Sequence, residues 1–124
     1  MIYLDTHVVV WLYAGRSDLL SPSAAQRIEG EPVRISPIVQ LELEYLHEIE
    51  RITVGSALII EALQTSIGLE LCDLPFSRII VESIGQRWTR DPFDRLIVAQ
   101  AIVGQAPLVT KDASMRANYT LAIW

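Results

Sequence analysis

The chain has 124 residues, 51% of them apolar and 20% charged. That length fits one domain spanning 1–124 and leaves no room for two cores, and a chain this apolar is not disordered. Fifteen acids against ten bases give a net charge of −5, which in bulk would repel a polyphosphate.

Ile2–Leu4 is a short apolar run ending at Asp5 and reads as a first strand. Thr6 to Ala14 follows as an apolar helix stopped by Gly15. Ser21-Pro22 is an N-cap with proline at the first helical position, opening a helix to about Glu29. Val33–Ile35 is a strand, and Ser36-Pro37 repeats the cap pattern before a long helix to about Glu50. Ser56 starts a helix ending near Gly68, Leu69–Cys72 is strand-like, and Phe76 to Trp88 is an amphipathic helix. Asp91-Pro92 opens a helix to about Val103, Pro107–Thr110 is a strand, and Leu121–Trp124 forms a last short one. Strands alternating with helices predict a short-stranded, mainly parallel sheet covered on both faces.

The long uncharged stretch Leu96 to Val109 contains two Gln, a Gly and a Pro, and falls short of the ~20 mostly apolar residues of a spanning helix. Asp5 stands where a secretory leader would be basic, and the single Cys72 has no internal disulfide partner. A cytoplasmic chain is the expectation.

In an open parallel sheet, functional groups collect beyond the carboxyl ends of the strands. Asp5 ends the first strand and Asp112 lies just past Leu108–Thr110, so both should project over one edge; a turn or cap role competes for each. At about 100° per residue, Ile38, Leu41, Tyr45, Ile49 and Ile52 form an apolar stripe, and Glu42 falls inside it. A carboxylate on a core-facing stripe needs a partner or a cation. Glu44, Glu48 and Glu50 read as a solvated face. In Arg90-Asp91-Pro92-Phe93-Asp94-Arg95, Asp91 suits a cap and Asp94 suits the helix dipole. That helix is apolar around most of its circumference, so its amino-terminal acids should face a cleft.

Five acids are thus expected to converge: Asp5, Glu42, Asp91, Asp94 and Asp112. Without them, ten acids stand against ten bases, so the acidic balance belongs to the site. An all-oxygen cluster suits Mg²⁺ or Mn²⁺, whereas two histidines and one cysteine without ligand spacing do not make a zinc site. Such ions activate water and neutralise a phosphodiester, which points to metal-dependent nuclease chemistry. Thr6, Arg95 and Thr110 flank the acids as substrate-binding candidates, with helix-start, ion-pair and strand-end roles as their plainer alternatives. Lys111, the only lysine, faces either the cleft or solvent.

The segments Ile-Tyr-Leu-Asp-Thr-His, Ser-Pro-Ile-Val-Gln-Leu-Glu, Arg-Asp-Pro-Phe-Asp-Arg-Leu-Ile-Val-Ala-Gln-Ala and Leu-Val-Thr-Lys-Asp together resemble the PIN domain. More closely, they resemble the VapC-type toxins of bacterial toxin–antitoxin pairs, over almost the whole chain. The resemblance implies a three-layer α/β/α fold and a Mg²⁺- or Mn²⁺-dependent endoribonuclease. It also implies a homodimer, held inactive by a small VapB-like antitoxin that reaches into the site with a basic residue. Asp5, Glu42, Asp91, Asp94 and Asp112 match the family's acidic positions. Leu41 stands where the family usually has Trp, which makes Glu44 the fallback for Glu42.

Other classes fit less well. A haloacid dehalogenase-like phosphatase needs a second Asp two positions after Asp5, where His7 stands. A receiver domain needs acidic neighbours before Asp5 and a phosphoacceptor after its central strand; Asp73 follows Leu69–Cys72 without that company. A catalytically inactive PIN-like binding module, with its acids serving as caps and salt-bridge partners, is the remaining alternative. The apolar run from Val8 to Tyr13 predicts a buried central helix, and a helix such as Ala57–Ile67 would then carry the partner surface.

Overall fold

A computed structural model describes all residues from Met1 to Trp124. Five strands, β1 (Ile2–Leu4), β2 (Val33–Ile35), β3 (Glu70–Leu71), β4 (Leu108–Val109) and β5 (Ala122–Ile123), form one sheet in the order β3-β2-β1-β4-β5. Every pairing is parallel. Parallel neighbours need crossovers, and the seven helices supply them: α1 (Thr6–Tyr13), α2 (Pro22–Gly30), α3 (Pro37–Glu48), α4 (Ser56–Ile67), α5 (Phe76–Ile84), α6 (Pro92–Val103) and α7 (Ala113–Asn118). The result is the three-layer α/β/α arrangement, and none of these helices is long and apolar enough to cross a membrane.

The cap-and-proline pattern operates as the sequence predicts. Ser21 accepts from the Ala24 amide at 3.0 Å, Ser36 from Ile38 at 3.3 Å and Asp91 from Asp94 at 3.0 Å, each with proline next in the chain. Gly68 closes α4 in the left-handed region, at φ 67°, where a Cβ would be strained.

Four expectations need correction. The amphipathic helix from Phe76 ends at Ile84 rather than Trp88, because Gly85 caps it and the Trp88 indole N–H turns back to Gln86 at 2.9 Å. The α3 helix ends at Glu48, and Glu50 lies at φ 62° beyond it. Its buried face is Val39 and Leu43, while Leu41, Tyr45 and Ile49 of the expected stripe are 58%, 46% and 44% exposed. The helix carries apolar residues on two faces, and only Val39 and Leu43 are fully enclosed. Finally, α1 is fully buried only at Thr6, Val8 and Val9; Trp11 is half-buried and Tyr13 exposed.

The core is continuous, with Ile2, Leu4, Ile35, Leu43 and Leu108 wholly enclosed. Burial of each such side chain contributes about 1.5–3 kcal/mol. Two polar contacts cross this core. Ser36 donates its hydroxyl to the Oε1 of Gln100 at 3.0 Å, tying the start of α3 to α6. The Tyr3 hydroxyl lies 3.0 Å from the Cys72 sulfur. It also lies where a Cβ on Gly104 would come within 2.6 Å.

Candidate metal-binding active site

The order of the strands reverses between β1 and β4: the chain runs β1, β2, β3 one way and then places β4 and β5 on the other side. Open parallel sheets form their crevice at such a switch point, beyond the carboxyl ends of the strands. Asp5 follows β1 and Asp112 follows β4 by three residues, so they flank that crevice. Glu42 enters from the second turn of α3, and Asp91 and Asp94 from the N-terminus of α6. All five line one cavity of about 390 Å³, together with His7, Trp11 and Lys111.

Each carboxylate is held differently. Asp5 is 6% exposed; it accepts from the Thr6 amide at 2.8 Å and from the Thr110 hydroxyl at 2.7 Å. Burial pushes its pKa up, and those two hydrogen bonds oppose the rise. Glu42 accepts from the Thr6 hydroxyl. Its pKa is also raised, first by burial and further by the charges of Asp5 and Asp91. Asp91 and Asp112 each place one oxygen on a helix amide, Asp112 on Met115 at 2.9 Å. Asp94 accepts no hydrogen bond from any side chain or amide, and burial together with Asp91, Asp5, Asp112 and Glu42 raises its pKa to about 7.

This donor set fits a hard divalent cation. One oxygen each of Glu42, Asp91 and Asp112, and both oxygens of Asp94, are uncommitted to protein donors. No three acids are already drawn in around a common point. Ligation by this set therefore requires the side chains to move inward, while the shared cavity and the uncommitted oxygens suit oxygen-ligated Mg²⁺ or Mn²⁺.

The structure places the remaining candidates elsewhere. Thr6 and Thr110 are fully buried and serve the carboxylates, with Thr110 also accepting from the Asp112 amide at 3.0 Å. Arg95 donates its Nε to the Thr89 carbonyl at 2.7 Å and does not line the cavity. Glu44 does not replace Glu42: it turns to the amide and hydroxyl of Ser56, at 3.0 and 2.6 Å, and caps α4. Lys111 faces the cavity. Sequence reasoning missed Trp11 and gave His7 no part in the site; their i, i+4 spacing directly after Asp5 was the available signal.

A family model described as the PIN domain matches residues 2–120. The chain belongs to the PIN-domain family. Ribonuclease VapC22 of Mycobacterium tuberculosis is 30% identical over 119 residues, covering 94% of this chain and 91% of that protein. Among solved structures, a toxin–antitoxin complex from Klebsiella pneumoniae aligns with a TM-score of 0.72 at 20% identity, over 100% of this chain and 97% of that one. VapBC2 from Rickettsia felis, bound to a promoter DNA fragment, gives 0.64 at 22% identity, over 94% and 92% of the two chains. VapBC-1 from nontypeable Haemophilus influenzae gives 0.61 at 19%, over 96% and 95%. These three likenesses establish that this PIN domain has their fold.

Proposed function

We propose that this PIN domain is a divalent-metal-dependent endoribonuclease and the toxin of a toxin–antitoxin pair. The observation that carries the reading is Asp94: a half-buried carboxylate without a hydrogen-bond donor, facing four other acids in one cavity at the sheet's switch point. Burial and the neighbouring charges disfavour the charged form of such a group, and a cation in the cavity offsets both. The relative named as a ribonuclease and the toxin–antitoxin complexes among the structural neighbours support the same reading.

Asp5, Asp91, Asp94 and Asp112 would hold Mg²⁺ or Mn²⁺, directly or through water, with Glu42 completing the set. When bound, the ion supplies positive charge for the phosphodiester and makes a water more acidic. Thr110 and Thr6 fix the Asp5 and Glu42 carboxylates on the cavity side of the sheet edge. Alternatively, Glu42 would orient the attacking water and accept its proton. Lys111 offers the cavity's one lysine to a phosphate oxygen.

The acidic cavity also suits a basic residue of a VapB-like antitoxin. Exposed Leu41, Tyr45, Phe76 and Ile84 offer apolar surface for that partner or for a second copy in a homodimer. The cytoplasm is the compartment in which such a pair would act. Purified protein should cleave a mixed RNA pool only with Mg²⁺ or Mn²⁺, and its expression without an antitoxin should stop growth. Asp5→Ala and Asp94→Ala should lose both effects while remaining folded; full cleavage by either variant would refute the reading.

A further inference from the structure

We propose that His7 and Trp11 form a stacking platform for the nucleobase adjoining the phosphate in the cavity. The inference rests on the nuclease reading and adds a base-binding subsite to it. Of the eight residues lining the cavity, five are acids; His7 and Trp11 are its aromatic rings and Trp11 its one hydrophobic side chain. An anionic cavity repels the sugar–phosphate backbone except where a cation or Lys111 meets it, so a contact to the base adds affinity that the backbone does not supply.

The two rings are built for that contact. They sit at i and i+4 on α1, one turn apart on one helix face, with centroids 6.2 Å apart and planes tilted by 47°. That tilt keeps them from stacking on each other, and both rings line the cavity. Trp11 is braced by Trp124, the two rings in edge-to-face contact with centroids 5.9 Å apart and planes at 60°. A braced indole loses little freedom on binding, and the exposed imidazole of His7 adjusts beside it. Every base has a π-face, so the platform is tolerant of sequence.

The test compares adenosine 5′-monophosphate with ribose 5-phosphate in the presence of Mg²⁺, read by quenching of tryptophan fluorescence and by equilibrium dialysis. Both carry the same phosphate, and neither contains a phosphodiester to cut. The nucleotide should bind at least about tenfold more tightly and quench the fluorescence, at the scale measured for one base on one aromatic ring. Trp11→Ala and His7→Ala should each erase most of that difference, whereas Trp11→Phe should keep part of it. Equal affinity of the wild-type protein for the two ligands, or an undiminished preference in His7→Ala and Trp11→Ala, overturns the platform. Should Trp11→Ala fail to fold, the exposed His7→Ala decides alone. Absence of RNA cleavage alongside an intact nucleotide preference would instead sink the catalytic reading and leave the subsite standing.

Discussion

The Thr110 hydroxyl donates to the Asp5 carboxylate at 2.7 Å, joining the ends of two adjacent parallel strands across 105 residues of sequence. The same oxygen accepts from the amide of Asp112. One side chain thus fixes the acids on both sides of the crevice. Thr110→Val keeps the shape and removes both contacts. It should lower stability by about 1–3 kcal/mol, the range for a buried hydrogen bond to a charged group. It should also weaken divalent-ion affinity by about 10–100-fold, as loss of a ligand's supporting contact does. Denaturant titration and metal titration of the variant check the two effects.

Stability without metal should fall as pH rises. The Asp94 pKa goes from 3.8 in an ordinary setting to about 7 in the fold. A raised carboxyl pKa favours the neutral form in the native state, so its contribution is fully present below about 4 and is lost as pH climbs through about 7. Asp5 and Glu42 shift in the same direction. Melting temperature in a chelator should therefore drop between pH 5 and pH 8, and Asp94→Asn should flatten the curve and be the more stable protein at pH 8. A chelated wild-type protein more stable at pH 8 than at pH 5 would contradict this.

Divalent ions should reverse that loss. Mn²⁺ at a hundredfold excess over its Kd should stabilise the native state by about 2.7 kcal/mol through linkage. Asp5→Asn and Asp94→Asn should each abolish most of the gain. A calorimetric scan with and without Mn²⁺ at pH 8 gives the comparison.

Gly104→Ala should be destabilising although its backbone, at φ −75°, suits any residue. The added methyl would meet the Tyr3 hydroxyl at 2.6 Å, and Tyr3 is locked in β1 beside Cys72. Overpacking of this kind costs about 1–3 kcal/mol. Tyr3→Phe in the Gly104→Ala background should recover part of it, as measured by urea unfolding.

Ser36→Ala should loosen the link between the helices that carry Glu42 and Asp94. The Ser36 hydroxyl caps α3 and donates to the Oε1 of Gln100, a residue 2% exposed whose Nε2 has no hydrogen-bond partner. The loss should be about 1–3 kcal/mol for a buried polar group stripped of its partner. A double-mutant cycle with Gln100→Leu should show coupling, since the paired replacement strands neither group.

Much of this was legible from residue order. Serine or aspartate followed by proline marked three helix starts, because the local chemistry of a cap needs no tertiary partner. Asp5 and Asp112 were readable as edge residues from the strands before them. The face of α3 was not, since both of its apolar sides satisfy the same periodicity and only packing distinguishes Val39 from Leu41. The helix α7 was missed because its six residues carry too little apolar pattern, although Asp112 caps it. Gln100 was hidden inside an apolar run, where its partner Ser36 lies 64 positions away.

The insertion of β1 between β2 and β4 has a consequence for synthesis on the ribosome. Asp5 lies more than a hundred residues before β4, the strand that completes its surroundings. A nascent chain halted before Leu108 lacks both β4 and Asp112, so the crevice between β1 and β4 does not exist in it. Long-range parallel pairing is also slow, so the acids on the two sides of the crevice are brought together late in folding.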